Sequence, residues 1–373
     1  MKFKIITSLF LIFIWEITTP QSIARVENIK IQSQIMNQER EILVYTPIDY
    51  DWRTNEYFNV MYVFDSQNRE LFDYTTSIIS FLTDNSNSSF IVIGVTSPYN
   101  EKLDYARNND LLPVLSSNES KNRYGKYSGN FDYFSEFVSD EVKKYVDKNY
   151  RTLNNNIAIG HSLSASFIIR SMFSKPNLYS SYIAISPNFA YEDEMLRKEI
   201  IDFDYSKIGK STFIYLSNAN EGVDYWQEWK PAREKVYSFF RDSLKKDNLT
   251  VKIDSFPNYN HWNTFPPSLK SALKHYFNTI QKKQESELSK EKYEVTIRLK
   301  VKNKNDKVYI AGNQQNLGDW NPNKVEMKKT SDLEREIVLK IKSPAVGFPK
   351  NRTVNNSNLL TLNSNCHHEK QQI

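Results

Sequence analysis

Along most of the chain, segments with the hydrophobic pattern of a buried strand alternate with segments that have the hydrophobic spacing of a helix. Short apolar runs, at residues 59–65, 90–95 and 156–160, end in polar turns and are typical of strands buried on both faces of a sheet. Between them, residues 71–82 and 133–146 carry apolar side chains at helical spacing. This alternation predicts an α/β fold with a mainly parallel sheet flanked by helices.

The same order continues through one large domain, residues 25–282. An alternating segment, residues 29–47, predicts a hairpin at its start. The further predicted elements are, in chain order, a helix at 164–173, strands at 181–186 and 211–216, a helix at 229–245, a strand at 251–256 and a helix at 267–282.

The character of the chain changes after this domain. Residues 283–292 are charged and lack apolar periodicity, so they predict a linker. Strictly alternating and apolar segments follow, and they predict a small β module at residues 293–345. Residues 346–373 are rich in Asn, Ser and Lys and predict a poorly ordered tail.

The N-terminus has the pattern of a secretory signal peptide, residues 1–24. Lysines precede an apolar run at 5–15, and small residues stand at Ser22 and Ala24. A membrane anchor is disfavoured because the run is too short to span a bilayer and Glu16 interrupts it. We therefore expect export, periplasmic or secreted, with cleavage near Ala24 and no membrane span.

Composition narrows the function. The net charge of +5 arises from 49 basic and 44 acidic residues without a basic block, which argues against nucleic-acid binding. Cys366 is the only cysteine, so an intramolecular disulfide and a metal–thiolate site are both excluded. No metal or cofactor is predicted.

Ser162 is the candidate nucleophile. It lies in Gly-His-Ser-Leu-Ser, residues 160–164, between a predicted buried strand and a predicted helix, which is the setting of a strand–turn–helix nucleophile. The N–H of Leu163, at the helix N-terminus, would face a developing oxyanion. The triplet alone is weak, because it is also compatible with an ordinary N-capping serine.

A base and an acid follow in the required order. Of the five histidines, His261 lies in a polar loop directly after a predicted strand, where it can serve as the base. The acid is expected after the strand at 211–216, and Glu221 is the first choice with Asp224 the second. A solvated loop carboxylate is the alternative for each. His161 is expected to point away from the serine, and His275 to be structural.

These residues stand within a stretch that resembles an esterase family of α/β-hydrolases. The family includes enterobactin-type siderophore esterases, S-formylglutathione hydrolase, feruloyl and acetyl-xylan esterases and mycolyltransferases. The similarity covers residues 28–279. Matching stretches are Tyr-Val-Phe-Asp-Ser-Gln at 62–67, Arg-Asn-Asn-Asp-Leu-Leu-Pro at 107–113, Ile-Ser-Pro at 185–187 and Phe-Pro-Asn-Tyr-Asn-His at 256–261.

The resemblance implies an α/β-hydrolase fold and a Ser162–His261–Glu221 triad. It also implies a second oxyanion donor, the backbone N–H of Ser66 or Gln67, with Gln67 preferred. Serine replaces the glycine of the family at Ser66 and Ser164, and we expect these changes to shift the oxyanion geometry and to reduce the rate.

The second module resembles a starch-binding domain through Val308–Pro322, which contains Leu-Gly-Asp-Trp at 317–320. The resemblance implies that Trp320 stacks on a sugar ring. Only the first half of such a domain is recognisable, so the alternative is a structural appendage without affinity for sugar.

Two hypotheses follow. The first is an exported serine hydrolase that cleaves a small-molecule carboxylic ester or an acylated carbohydrate through an acyl-enzyme. The second is a non-catalytic protein that binds a starch-like glucan on a hydrolase scaffold. The order of serine, acid and histidine favours the first. The polar loop at 97–126 is expected to line the cleft, with Tyr105, Arg107 and Tyr124 as candidate substrate contacts.

Overall fold

The computed structural model describes residues 24–48, 50–51, 57–83, 90–103, 105–125, 127–283, 292–342, 345–351 and 360–362. The predicted signal peptide lies outside these residues, apart from Ala24, so its cleavage and the export of the chain stay predictions. No helix within the described ranges is long and apolar enough to cross a membrane.

An eight-stranded sheet forms the centre of the larger domain. Its strands are β1 Arg25–Ser33, β2 Gln38–Thr46, β3 Phe58–Phe64, β4 Phe90–Val95, β5 Thr152–His161, β6 Ser181–Ile185, β7 Thr212–Asn218 and β8 Leu249–Ser255. They are ordered β1-β2-β4-β3-β5-β6-β7-β8. The first two form the predicted hairpin, and β2 pairs antiparallel with β4. The remaining neighbours are parallel, as predicted.

Helices cover both faces of this sheet. They are α1 Arg69–Leu82, α2 Arg107–Leu111, α3 Asn118–Tyr124, α4 Phe131–Glu136, α5 Lys143–Asn149, α6 Leu163–Ser174, α7 Tyr191–Asp202, α8 Trp229–Ser238 and α9 Phe265–His275. Segments of π-helix at Phe137–Val142, Phe239–Ser243 and Tyr276–Gln281 join α4 to α5 and extend α8 and α9. Because β3 to β7 are buried on both faces, their sequences are nearly all apolar.

The smaller domain contains two antiparallel sheets around its own core. One sheet contains β9 Tyr293–Lys300, β12 Lys328–Ser331 and β13 Glu334–Ile341. The other contains β10 Val308–Gly312, β11 Val325–Glu326, β14 Ala345–Asn351 and β15 Leu360–Leu362. Val308, Ile310 and Leu317 belong to the small core between them.

The predicted end of this module at residue 345 is wrong, because β14 and β15 lie in the segment expected to be a poorly ordered tail. β14 pairs antiparallel with β10 from Gly347↔Gly312 to Asn351↔Val308. The pairing satisfies backbone groups of β10 that would otherwise lie at an open edge. Glycine and proline interrupt the apolar alternation of β14, so its sequence does not have the pattern of a strand.

Candidate active site

Ser162 lies in the sharp turn between β5 and α6. Its φ of 63° is positive, a strained conformation for a residue other than glycine and one that recurs at functional turns. The turn leaves no room for a side chain at Gly160, whose Cβ would lie 2.5 Å from the carbonyl oxygen of Ser164. Ser162 is half-buried, and its Oγ makes no hydrogen bond with any described residue.

Ser164 stabilises this turn with its own side chain. Its hydroxyl accepts a hydrogen bond from the N–H of His161 at 3.0 Å and donates one to the carbonyl of His161 at 2.8 Å. The side chain is fully buried. The serine that replaces the glycine of the family therefore closes the turn and leaves no polar group unpaired.

His261 and Glu221 form a buried hydrogen-bonded pair. His261 follows β8 and is 4% exposed, whereas Glu221 follows β7 and is 1% exposed. The Nδ1 of His261 lies 2.7 Å from Oε1 of Glu221. Because a carboxylate only accepts, Nδ1 of the neutral imidazole carries the proton and Nε2 keeps a lone pair. This tautomer is the one that a general base for Ser162 requires.

The surroundings of Glu221 keep it ionised. Its Oε2 accepts a hydrogen bond from the N–H of Ala219 at 2.7 Å. Burial raises the pKa of Glu221, but the hydrogen bond to His261 and the electrostatic interaction with that side chain outweigh burial and leave the pKa below its ordinary value. The carboxylate can therefore stabilise a protonated His261.

The second-choice acid lies elsewhere. Asp224 is exposed, and its carboxylate accepts a hydrogen bond from the side chain of Asn220. The structure thus places Glu221, and not Asp224, against the imidazole.

Two backbone N–H groups of the described residues are the candidate oxyanion donors. Leu163 is the first residue of α6, so its N–H has no acceptor within the helix. The N–H of Ser66 already donates to the carbonyl of Val95 at 3.1 Å, which leaves Gln67 as the donor after β3. The side chain of Gln67 fixes that turn, because it accepts from the N–H of Ser97 at 2.9 Å and donates to Asp65 at 2.8 Å.

Arg107 contacts this second turn. Its Nε donates to Oδ1 of Asp65 at 2.8 Å, and Nη2 pairs with Oδ2. Burial raises the pKa of Asp65, but Arg107 and Gln67 lower it more, so the net shift is downward. Arg107 is one third exposed and lines a cleft of about 710 Å³ beside Gln67, so it can still meet a substrate there.

The other predicted contacts in the loop at 97–126 differ in position. Tyr105 is 7% exposed, and its hydroxyl bonds to the buried carboxylate of Asp110, so it faces the interior and not the cleft. Tyr124, at the end of α3, is half-buried and accepts a hydrogen bond from the side chain of Asn188. Asn188 follows β6, so Tyr124 lies near the sheet edge that carries the candidate triad.

Aromatic residues that the sequence pattern did not single out surround His261. The ring centroids of Trp226 and Trp229 lie 4.9 and 5.4 Å from the imidazole, and that of Trp262 lies 5.8 Å away. Trp262 is 72% exposed. Three of the six tryptophans lie within residues 226–262, two of them at or just before the start of α8 and one directly after His261, which is a signal that the sequence offered.

Trp320 lies in the smaller domain in a turn after β10. It is half-buried, and its ring centroid lies 6.2 Å from that of Tyr57, next to β3 of the larger domain. Its role in sugar binding stays a prediction. Among the described residues, no group of three or more His, Cys, Asp or Glu side chains is placed to hold a metal ion.

Comparison with known proteins decides the family. Residues 33–276 match the family described as "Putative esterase". The chain belongs to this family. Residues 292–369 match the family described as "Starch binding domain", which confirms the second resemblance and extends it past residue 345.

Among curated relatives of this esterase-family chain is the ferri-bacillibactin esterase of Bacillus subtilis (strain 168). It is 24% identical over 118 residues, which are 30% of this chain and 41% of that protein. The match therefore spans about two fifths of the relative's length.

Solved structures show the fold. An IroE-like serine hydrolase from Shewanella oneidensis superimposes with a TM-score of 0.56 at 17% identity, over 68% of this chain and 80% of that one. The BES protein from Bacillus cereus gives 0.54 at 18% identity, over 73% and 98%. The predicted α/β-hydrolase fold with a C-terminal β module is thus confirmed.

Proposed function

We propose that the chain is an exported serine hydrolase that cleaves carboxylic esters through an acyl-enzyme on Ser162. The observation that carries the proposal is the buried hydrogen bond between Glu221 and His261, beside a serine held at positive φ. Membership of the esterase family supports the reaction class.

In the proposed reaction, Nε2 of His261 takes the proton of Ser162 while Oγ attacks the ester carbonyl. The N–H groups of Leu163 and Gln67 hold the oxyanion of the tetrahedral intermediate. Protonated His261, stabilised by Glu221, then gives its proton to the leaving alcohol. Water then attacks the acyl-enzyme with His261 again as base, and the proton passes from His261 to Oγ of Ser162 as the acid is released.

Although both residues are described, no hydrogen bond joins Ser162 to His261 in the structure. Such bonds are often long in enzymes without substrate and tighten in the reacting complex. We therefore expect the hydrogen bond between Ser162 and His261 to form when substrate is bound.

The experiment is turnover of p-nitrophenyl acetate by the mature chain and by Ser162→Ala. We expect hydrolysis in the wild type and its loss in the variant. Ser77→Ala is the matched control, because Ser77 is exposed on α1 and away from the turn. A wild type without turnover of short, feruloyl, siderophore or acylated-sugar esters, or Ser162→Ala with wild-type turnover, would refute the proposal.

For the substrate we propose an ester with a planar aromatic group. The exposed ring of Trp262 and the stacked pair Trp226–Trp229, with centroids 4.7 Å apart, give such a group a surface beside the base. The ferri-bacillibactin esterase named above makes a siderophore ester the first compound to assay. Trp262→Ala should raise KM for an ester that carries an aromatic ring, such as methyl ferulate, and leave KM for an ester without a ring, such as ethyl acetate, less affected. Equal effects on both would contradict this assignment.

We further propose that the smaller domain binds a starch-like glucan. The match to a starch-binding family supports this role, and Trp320 is the candidate stacking residue. Retention on insoluble starch should be lost in Trp320→Ala, with Tyr309→Phe, which keeps its ring, as the control. Unchanged retention in Trp320→Ala would contradict the role of this residue.

Export stays part of the proposal. β1 begins at Arg25, so cleavage after Ala24 would leave every strand of the large sheet in the mature chain. N-terminal sequencing of protein from the medium or periplasm should give Arg25 or a near neighbour. A start at Met1 would contradict cleavage.

A further inference from the structure

The loop that carries His261 is held by its backbone at two points. The N–H of His261 donates to the hydroxyl of Tyr225 at 2.6 Å. The carbonyl oxygen of His261 lies 2.8 Å from Nε2 of His161. These contacts come from the acid loop on one side and from the nucleophile turn on the other. His161, which directly precedes the candidate nucleophile, therefore contacts the backbone of His261, the candidate base.

His161 must be the donor in this contact. A carbonyl oxygen only accepts, so the proton lies on Nε2 of His161. Burial, and the proximity of His261, lower the pKa of His161 to about 3. His161 is therefore a neutral donor over the working range of pH, and it does not place a second positive charge beside His261.

Packing fixes the ring of His161. Its centroid lies 4.7 Å from that of His261 at an interplanar angle of 31°, and the ring of Phe265 contacts it edge-on at 5.9 Å. The backbone of His161 is bound on both its N–H and its carbonyl by Ser164. A rigid path thus joins the turn of Ser162 to the loop of His261.

We propose that His161 is a positioning residue that sets the distance and orientation of His261 relative to Ser162. It acts by donating from Nε2 to the carbonyl of His261, and it touches no reacting atom. This inference rests on the proposed ester hydrolysis. The sequence led us to expect only that His161 points away from the serine, and the contact with the carbonyl of His261 gives that orientation a role.

The test compares two substitutions at one position. The side-chain amide introduced by His161→Gln can reach the carbonyl as the imidazole does, whereas His161→Phe keeps a ring but has no donor. We expect His161→Phe to lower kcat on p-nitrophenyl acetate by about 10- to 100-fold, the scale of an ångström-level misplacement, with KM little changed. His161→Gln should recover most of the lost rate.

Thermal unfolding of both variants separates positioning from folding. If His161→Phe does not fold, His161→Asn replaces it, since its amide is one methylene too short for the carbonyl. The kcat of His161→Asn should then be as low as that expected for His161→Phe, whereas His161→Gln should keep most of the wild-type kcat. Wild-type kcat in the variant without a donor, or equal losses in the Gln variant and in that variant, would overturn the inference. A wild type without esterase activity would instead refute the proposed function.

Discussion

The turns after β3 and β5 lie side by side in the sheet, and both hold a non-glycine residue at positive φ. Asp65 has φ 61° and Ser162 has φ 63°. Each turn contributes one candidate oxyanion donor, and each contains a serine where the family has glycine. The turn after β5 also carries the candidate nucleophile Ser162, whereas the turn after β3 carries only a candidate backbone donor.

The two turns accommodate their serine in different ways. Ser164 bonds to the backbone of its own turn. Ser66 donates a hydrogen bond to the carbonyl of Val63 at 2.8 Å. Its side chain fits only because β4 has a glycine beside it, since a Cβ on Gly94 would lie 2.9 Å from Cβ of Ser66. The serine at 164 is therefore accommodated within its own turn, whereas the serine at 66 is accommodated by the packing against the neighbouring strand β4.

The largest expected effect is on the acid that serves the nucleophile turn. Glu221→Gln should lower kcat by about 10³- to 10⁴-fold, because the amide does not stabilise a protonated His261 and can favour the wrong tautomer. Asp224→Asn in the same loop is the matched control. Steady-state kinetics on p-nitrophenyl acetate measure both. A larger loss in Asp224→Asn would reassign the acid.

The next largest effect is expected on the free energy of unfolding, when Arg107 is removed from the carboxylate of Asp65 in the turn after β3. Arg107→Gln leaves the carboxylate of Asp65 buried without its ion pair, and we expect about 3 kcal/mol of lost unfolding free energy. The pKa of Asp65 is lowered in the folded chain, so its stabilisation is present above its ordinary value of 3.8 and is lost as the pH falls through the folded value.

Denaturation of both proteins at several pH values measures this difference. The gap between wild type and Arg107→Gln should be full at neutral pH and should shrink in acid, as Asp65 becomes protonated in the folded variant before it does in the folded wild type. A gap that is independent of pH would mean that the ion pair is not its source.

Gly94→Ala tests the dependence of the Asp65 turn on the neighbouring strand. The added Cβ would also lie 2.8 Å from the ring of Phe72, so we expect a loss of about 2 kcal/mol from overpacking. Adding Ser66→Gly should restore part of that loss. Chemical denaturation of the two single variants and the double variant measures the coupling, and strict additivity would contradict the packing argument.

The smallest effect is expected at Ser164. Ser164→Gly removes the hydrogen bonds to His161 and should lower the unfolding free energy by about 1 kcal/mol. Because the same hydrogen bonds hold the backbone of His161, kcat should fall by less than about tenfold. The expectation from the sequence that this serine reduces the rate predicts a faster variant instead. Kinetics and denaturation of the same preparation distinguish the two.

Strong periodicity made the sheet and most helices predictable. The strands around Val60 and Ile183 are apolar because both faces are covered, and the candidate triad was predicted from the order of the strands. The strained part of α7 was not predictable, because Glu192 has φ 50° and its carboxylate accepts from the N–H groups of Ser116 and Ser117 at 2.7 and 2.9 Å. Contacts between distant segments hold that conformation, and local spacing does not encode them.

The candidate site shows the same limit. Glu221 and His261 were found from loop order, since the carboxyl ends of parallel strands meet at one edge. The contact between His161 and the carbonyl of His261 joins residues 100 positions apart and involves a backbone acceptor that every residue carries. A sequence pattern cannot single out such an acceptor, so this contact was found only in the structure.

The most direct test of the central claim is covalent labelling of the nucleophile. The mature chain is incubated with a fluorophosphonate, and digested peptides are analysed by mass spectrometry. We predict one phosphonyl group per chain on Ser162, loss of esterase activity in proportion to labelling, and no label in Ser162→Ala. An inactivated enzyme labelled on another serine, or full ester turnover without label on Ser162, would contradict the account.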